Sequence, residues 1–345
     1  MTRRPRVGFL GLGWIGHARL KVLAEADLVD IPVLADGNPQ ALKAARLLAP
    51  EARAVASLEE LLAHDLDAVV IATPSGLHAA ACKRALESGL AVFCQKPLAP
   101  NASEVASVIE AARAADRLLR VDFCYRHARA VAALREAVSS GSIGRVYAAE
   151  LTFHNAYGPD KAWARERELS GGGCLIDLGV HLVDTAFWVL DRASAVKYAR
   201  ARLYAGGKPV KSGSSTVEDF ALGQLELEDG TALDIGCSWQ SSFGDHARIR
   251  IALYGSAGGA IVENVNGSFF EFSCERFHGT AREVLFRGDD AWGGRALVSF
   301  AEELIVSHAF RADEQLLRVA RALDRLYAPG PLKPAITSST SRALP

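Results

Sequence analysis

The fold is decided by Val7-Gly8-Phe9-Leu10-Gly11-Leu12-Gly13-Trp14-Ile15-Gly16. The apolar start of this stretch predicts a short buried strand, and the Gly-x-Gly-x-x-Gly motif that follows opens a predicted helix. In that setting Gly11 permits a tight turn, Gly13 lets the backbone approach a pyrophosphate, and Gly16 lets the helix pack closely on the strand. The pair Trp14-Ile15 begins the helix, where free backbone amides attract phosphate charge. The motif therefore predicts a dinucleotide site; a glycine-rich turn without a ligand is the alternative.

An acidic residue lies twenty positions beyond the last glycine of the motif, at Asp36. It follows the second predicted strand, where a carboxylate accepts hydrogen bonds from the adenosine ribose hydroxyls and repels a 2′-phosphate. We therefore expect NAD as the cofactor, with NADP possible. The alternative is an ordinary turn residue of Asp36-Gly37-Asn38-Pro39.

The composition of the 345-residue chain is that of a globular protein of about two domains, with 50% hydrophobic residues. A formal net charge of -1 provides no cationic surface for nucleic acid or an anionic membrane, and no apolar run approaches the roughly 18 residues that a bilayer span requires. The six cysteines lie far apart without a Cys-x-x-Cys pair. This argues against a disulfide framework or a metal site, so we expect a cytoplasmic protein without a metal.

The first third of the chain alternates short apolar runs with helical stretches. The predicted strands are 7–10, 29–35, 68–73, 91–94 and 118–123. Apolar strands joined by helices indicate a parallel sheet covered on both faces, which together with the glycine motif predicts a Rossmann domain over residues 1–124.

After about Tyr125 the pattern changes to that of a second domain, residues 125–328. The predicted helices are 128–139, 177–190, 296–310 and 313–326, and the predicted strands are 146–154, 217–227, 232–239, 248–254 and 260–263. The turn Asp229-Gly230 is a strong hairpin signal. We expect a large, mostly antiparallel open sheet in an α+β domain, followed by a loosely held tail at 329–345.

Two loops leave the carboxyl ends of predicted strands, where ligands of open α/β sheets bind. The first carries Thr73 and Pro74, which are candidate cofactor neighbours, and His78, one turn into the next helix, either faces the nicotinamide or lies on the helix surface. The second is Cys94-Gln95-Lys96-Pro97, in which Gln95 and Lys96 are further candidate cofactor neighbours. Because the proline constrains the turn, Lys96 is a candidate for proton transfer; the alternative is a solvated loop lysine.

A glycine-rich segment at 171–173 leads into a helix with Asp177 and His181 four positions apart. Residues with this spacing share a helix face, so carboxylate and imidazole are expected to form a hydrogen-bonded dyad. Asp184 continues the same face one turn later. A structural His-Asp pair is the alternative, and a metal site lacks an evident third ligand.

Taken in order, the glycine motif, the Ala-Thr-Pro run, the Lys-Pro turn and the Gly-Gly…Asp-x-Gly-x-His helix resemble the Gfo/Idh/MocA family of oxidoreductases. The resemblance extends to about Tyr327. It implies a Rossmann domain, a second domain whose open sheet forms dimers or tetramers, and a catalytic set of Lys96, Asp177 and His181.

The resemblance also places further residues at the substrate, namely Arg126, His154, Asn155 and Asp184. The family commonly has Glu-Lys-Pro where this chain has Gln95-Lys96-Pro97. Loss of that negative charge is expected to make the cationic form of Lys96 less favoured.

Together these features predict hydride transfer between a nicotinamide and a carbinol or ketone carbon of a sugar, sugar derivative or inositol. His181, oriented by Asp177, would take the hydroxyl proton, while Lys96 hydrogen-bonds the same oxygen. Two alternatives remain: an NAD-dependent glycoside hydrolase that oxidises its substrate transiently, and a non-catalytic dinucleotide-binding regulator.

Overall fold

The computed structural model describes residues 3–191, 194–211, 213–311 and 313–328; the predicted tail at 329–345 lies outside them. The N-terminal strands are β1 Val7–Leu10, β2 Val33–Ala35, β3 Arg53–Val55, β4 Ala68–Ile71, β5 Ala91–Cys94 and β6 Leu119–Val121. They form a parallel sheet in the order β3-β2-β1-β4-β5-β6. The five predicted strands are confirmed and β3 is additional. The second begins later than expected, after Pro32, which has no amide hydrogen for a ladder.

Helices cover this sheet because its strands are apolar throughout: every residue of β1, β4 and β5 is buried. The helices in this part of the chain are α1 Trp14–Ala26, α2 Pro39–Ala45, α3 Leu58–Leu62, α4 His78–Glu87 and α5 Ala102–Ala114. Side chains cap three of their starts: Asn38 accepts a hydrogen bond from the Gln40 amide, Ser57 accepts one from the Glu60 amide, and Asn101 accepts one from the Glu104 amide.

The second sheet is large and mostly antiparallel, as predicted. Its strands are β7 Val146–Asn155, β8 Val196–Ala205, β9 Lys208–Pro209, β10 Phe220–Leu227, β11 Ala232–Ser238, β12 Ala247–Gly255, β13 Gly259–Asn264, β14 Glu271–His278 and β15 Ala281–Asp289. Their order is β15-β14-β13-β12-β7-β11-β10-β8-β9, in which β7 and β11 pair in parallel. The sequence did not predict β8, β9, β14 and β15 as separate strands.

Helices lie on one face of this sheet and leave the other exposed. The remaining helices are α6 Arg129–Ser139, α7 Arg167–Ser170, α8 Val180–Leu190, α9 Arg295–Val306 and α10 Glu314–Tyr327, with a π-helical turn at Leu175–Gly179 before α8. In β7 the side chains of Leu151 and Phe153 face the helices, whereas Glu150 and Thr152 face outward. This alternation is the period of two that strand geometry imposes.

The segment Arg167–Leu190, which runs from α7 through the π-helical turn to α8, is long and apolar enough to cross a membrane by length and composition. No uninterrupted apolar run in the sequence predicts it. Its most apolar window is 89% buried within the fold, which is what the central helix of a protein core shows.

One late helix departs from the predicted division into domains. Helix α9 lies far along the chain, yet its Phe300 packs on Phe93 of β5 with the ring centroids 5.5 Å apart. Leu297 and Leu304 are buried in the same cluster as the Rossmann core. The N-terminal core is therefore completed by α9 and is not built by residues 1–124 alone.

We expect Phe300→Ala to lower the free energy of unfolding by about 3–5 kcal/mol, because the ring is 1% exposed and its removal leaves a cavity. Val306→Ala, on the same helix but at a side chain 79% exposed, is the matched control and should change little. Urea denaturation measures both; equal losses in the two variants would mean that α9 does not support the Rossmann core.

Candidate active site

The glycine motif forms a cradle at the start of α1. A Cβ atom added at Gly16 would lie 2.0 Å from the Gly11 carbonyl oxygen, whereas one added at Gly13 would meet nothing within 4 Å. Gly16 must therefore be a glycine for the helix to pack closely, whereas Gly13 keeps the space beside the helix start open. Gly13 is the N-cap and no side chain caps the helix, so its first amides are free for phosphate oxygens. Trp14 follows with its side chain 80% exposed.

Asp36 lies at the end of β2 beside this cradle. Its Oδ2 accepts a hydrogen bond from the Leu12 amide at 2.6 Å, and its Oδ1 accepts one from the Asn38 amide at 2.7 Å. Asp36 therefore stabilises both the glycine turn at Leu12 and the turn that follows β2. Because each carboxylate oxygen can accept a second hydrogen bond, this does not prevent contacts to ribose hydroxyls.

Two candidate cofactor neighbours, Thr73 in the loop after β4 and His78 at the start of α4, lie in different surroundings. The hydroxyl of Thr73 is buried and has no hydrogen bond within the described ranges, which leaves it available to a ligand. His78 is 1% exposed, with Nδ1 2.7 Å from the Pro97 carbonyl oxygen and Nε2 2.8 Å from the Thr73 carbonyl oxygen. Burial lowers the pKa of His78. The neutral ring has one N–H, so it donates to one of these two carbonyl oxygens, and His78 lies between the loops after β4 and β5. The expected nicotinamide contact stays a prediction.

Lys96 meets the second domain in the turn after β5. Its ammonium group donates to Asp177 Oδ1 at 2.6 Å and to the Asp177 carbonyl oxygen at 2.9 Å. The other carboxylate oxygen of Asp177 accepts a hydrogen bond from the Trp239 indole at 3.0 Å. The side chains of Lys96 and Asp177 are 18% and 39% exposed, so the pair borders on open space.

The predicted Asp177–His181 dyad is wrong: the structure describes both residues and shows no hydrogen bond between them. The reason is the π-helical turn Leu175–Gly179, whose wider spiral removes the stacking of positions four apart that an α-helix provides. Instead the His181 ring packs on Tyr125, with the ring centroids 5.0 Å apart. Burial, helped by the positive charges of Lys96 and Arg19, holds the pKa of His181 well below its usual value.

A buried carboxylate fixes the turn that carries Asp177. Glu218 is fully buried and its Oε1 accepts hydrogen bonds from the amides of Gly173 and Leu175 and from the Tyr327 hydroxyl, at 3.0, 3.1 and 2.6 Å. A Cβ atom at Gly173 would lie 1.8 Å from the Glu218 carbonyl oxygen, which explains a glycine there. Burial raises the pKa of Glu218.

Arg126 and Asp184 contact each other rather than open space. The guanidinium donates to both carboxylate oxygens of Asp184, and its Nη1 donates to Asp313 at 3.1 Å. Asp184 is 1% exposed and also accepts from Gln315. These contacts form an internal network that joins α8 to the start of α10, and the expected substrate contacts of Arg126 and Asp184 stay predictions.

Strand geometry separates His154 from Asn155. Phe153 faces the site, with its ring centroid 6.3 Å from that of His181, so Asn155 shares that face and His154 has the opposite one. There His154 stacks on Phe220 and its Nδ1 lies 2.7 Å from the Ser238 hydroxyl. The structure therefore does not place His154 beside Asn155, and the substrate contact expected of His154 stays a prediction. Asn155 stays a candidate, since its Oδ1 is buried without a hydrogen bond within the described chain.

Several residues of this site escaped the sequence analysis. Trp239, Glu218, Arg19 and Asp122 reach it from distant segments, and no motif marks them. The residues that the structure describes contain no cluster of three or more His, Cys, Asp or Glu side chains that could hold a metal ion.

Comparisons with known proteins agree with this architecture. A family model described as an oxidoreductase family with an NAD-binding Rossmann fold matches residues 5–123, and a model of the GFO/IDH/MocA C-terminal domain matches residues 131–261. A dTDP-3,4-didehydro-2,6-dideoxy-alpha-D-glucose 3-reductase from Saccharopolyspora spinosa is 30% identical over 265 residues, 76% of each chain. The chain belongs to the Gfo/Idh/MocA oxidoreductase family. Its N-terminal domain is the family's NAD-binding Rossmann domain.

Other Gfo/Idh/MocA relatives cover less of the sequence or share only the fold. The 1,5-anhydro-D-fructose reductase of Ensifer adhaerens is 34% identical over 218 residues, and the chain spans 62% of the length of that reductase in the match. The solved structure of KijD10, a 3-ketoreductase from Actinomadura kijaniata in complex with NADP and TDP-benzene, gives a TM-score of 0.79 at 20% identity, covering 94% of this chain and 97% of that one.

We expect Asp36→Asn to shift cofactor preference towards NADPH, because the substitution removes the charge that repels a 2′-phosphate but retains one oxygen acceptor. The ratio of the NADPH and NADH dissociation constants should fall about tenfold or more, measured by fluorescence titration. Asp65→Asn, at a side chain 76% exposed, is the control. An unchanged ratio in Asp36→Asn would show that Asp36 serves only its turn.

Proposed function

We propose that this protein catalyses hydride transfer between a nicotinamide and a carbinol or ketone carbon of a sugar, sugar derivative or inositol. The observation that carries the proposal is the ion pair of Lys96, from the Rossmann domain, with Asp177 of the second domain. The charge of Lys96 also lowers the pKa of His181. The bound cofactor supplies or accepts the hydride. The protein must then hold the substrate oxygen and move its proton.

Lys96 is equipped to hold that oxygen. An ammonium group has three donors, and two of those of Lys96 are directed at Asp177. The third has no partner within the described residues. It can donate to the substrate oxygen and stabilise the alkoxide character that develops as hydride leaves the carbon.

His181 is equipped to move the proton. Its lowered pKa keeps the imidazole neutral near pH 7, so that a ring nitrogen has a lone pair for the hydroxyl proton. In the reducing direction the same nitrogen returns the proton. Asp177 acts on Lys96, which it holds, and not on His181.

The chemistry of the substrate is inferred from the relatives and from the polar groups of the site. Relatives are named as a 1,5-anhydro-D-fructose reductase, a D-glucoside 3-dehydrogenase from Escherichia coli and inositol 2-dehydrogenases. These names share ring carbons that bear hydroxyl or keto groups. The unpartnered Asn155 amide oxygen suits a second hydroxyl of such a ring.

Assembly and location are also proposals. The outer face of the nine-stranded sheet exposes Tyr198, Leu222 and Tyr254 at 39%, 49% and 36%, which supports pairing of two copies through that face as a dimer or tetramer. All six cysteines are unpaired and buried, which supports a reducing compartment such as the cytoplasm.

We expect Lys96→Met and His181→Asn each to leave NADH binding within about twofold of wild type and to cut kcat by at least ~100-fold. The assay is NADH absorbance with a panel of polyols, aldoses, ketoses and inositols. Lys197→Met is the control, since Lys197 is an exposed lysine that pairs with Glu226 on the second sheet.

The outcome separates the proposal from its rivals. Full activity in both variants would contradict the proposed roles. Release of sugar from a glycoside at constant NADH absorbance would indicate hydrolysis through transient oxidation, and tight NADH binding without turnover of any substrate would indicate a regulator.

The pH dependence of oxidation follows from His181. A histidine with a lowered pKa stays unprotonated as the pH falls through 6.5, so kcat for oxidation should remain level there and decline only at lower pH. The measurement is kcat at saturating substrate between pH 5 and 9. A decline centred at or above pH 6.5 would exclude His181, as placed here, as the base.

A further inference from the structure

Three side chains outside the proposed proton-transfer pair form a buried polar chain next to Lys96. Arg19 Nε donates to Asp122 Oδ2 at 2.5 Å, and the side-chain amide of Gln95 donates to the same oxygen. Arg19, Gln95 and Asp122 are 7%, 5% and 1% exposed. Burying a charge pair and an amide is costly unless the groups satisfy each other, so this arrangement is specific.

The strand register explains how these residues meet. Strands β5 and β6 pair Cys94 with Val121, so the next residue of each, Gln95 and Asp122, leaves the sheet beside the other. The Asp122 amide also donates to the Cys94 carbonyl oxygen at 2.9 Å. Arg19 comes from α1, the helix that begins at the glycine cradle. These three side chains thus link α1, which begins at the glycine cradle, to the end of β5, next to Lys96.

The hydrogen-bond directions fix the orientation of the Gln95 amide. An ionised carboxylate only accepts, so Gln95 presents Nε2 to Asp122 and its Oε1 remains an acceptor directed elsewhere. A glutamate at position 95 would set two carboxylates against each other in a buried place, and only one of them could ionise readily. The amide at position 95 therefore supplies the hydrogen-bond donor that the buried carboxylate at position 122 accepts.

We propose that Arg19, Asp122 and Gln95 act as one positioning unit, in which Asp122 carries the negative charge, Arg19 balances it and Gln95 presents an oxygen acceptor to the nicotinamide half of the dinucleotide. The proposal rests on the proposed function for the identity of the ligand. Two further observations support it. Asp122 Oδ1 is buried without a hydrogen bond in the described part of the chain. The positive charge of Arg19 also contributes to lowering the pKa of His181.

The test is a double-mutant cycle of Gln95→Glu, Asp122→Asn and the two combined. Each single variant breaks the match, either with two carboxylates or with an unbalanced Arg19, whereas the double variant restores one carboxylate, one amide and one guanidinium. We expect each single variant to lower the melting temperature of the cofactor-free protein and to raise the NADH dissociation constant about tenfold or more. The double variant should return to within about threefold of wild type in NADH affinity.

A less buried set of the same three residue types provides the control. On the second sheet Arg200 donates to Gln224 at 2.6 Å, and Gln224, which is half-buried, donates to Asp234 at 2.6 Å. Because these residues lie on the second sheet and not in the Rossmann domain, Gln224→Glu should leave NADH affinity unchanged. Additive effects in the cycle, or a Gln95→Glu variant that behaves like Gln224→Glu, would overturn the proposal.

If Asp122→Asn fails to fold, the pH dependence of the melting temperature of Gln95→Glu tests the proposal instead. In Gln95→Glu one carboxylate of the pair must take up a proton, so the melting-temperature difference from wild type should shrink as the pH falls from 8 to 5.5. A difference that does not shrink contradicts the proposal. The other ionisable groups that face the pair from α1, β5, the turns after β5 and β6, and α8 are the same in both proteins; they are Arg19, Cys94, Lys96, Cys124, His127 and His181.

The cycle is read without turnover, which separates it from the proposed function. If the double variant recovers NADH affinity but the wild type turns over no substrate, the proposed function fails and the positioning unit stands. If the wild type is active and the cycle is additive, the positioning unit alone fails.

Discussion

The ion pair between Lys96 and Asp177 is the contact on which the site depends, because it joins the two domains at the point where chemistry is proposed. The backbone turn that carries each partner is held by a separate side chain. The Lys96 turn is tied through His78 to the loop after β4, and the turn of Asp177 is fixed by Glu218. The pair is partly exposed, so its contribution to stability is small compared with its effect on geometry. It directs an ammonium group with one free donor towards the substrate side.

Charge in the site is arranged as two neighbouring pairs. Lys96 is balanced by Asp177 and Arg19 by Asp122, while His181 is left without a carboxylate partner. Burial and the two nearby cations lower the pKa of His181, which favours the neutral imidazole. Had Asp177 bonded to His181, the imidazolium would be favoured and Lys96 would lose its anion. The π-helical turn before α8 therefore leaves Asp177 on Lys96, and it leaves His181, the proposed base, without a carboxylate partner.

What the sequence predicted depended on local spacing. The glycine motif, Asp36 and Lys96 were found because each follows directly from a strand end, and the strands themselves were clear from apolar runs. The assignment of both His154 and Asn155 to the substrate ignored strand alternation, which sends neighbours to opposite faces. The dyad assumed α-helical geometry where a π-helical turn lies. Trp239 and Glu218 could not be found, since only the folded sheet brings them to Asp177 and Gly173.

Gln95 shows why a departure from a family pattern must be judged in three dimensions. From the sequence alone, loss of the usual glutamate beside Lys96 suggested a less favoured cation. In the structure the anion for Lys96 is Asp177, and a second carboxylate, Asp122, already lies against position 95. A glutamate there would add a third negative charge, next to one that is almost fully buried, where Coulomb repulsion is strong. The amide at position 95 thus avoids placing a second carboxylate against the buried Asp122.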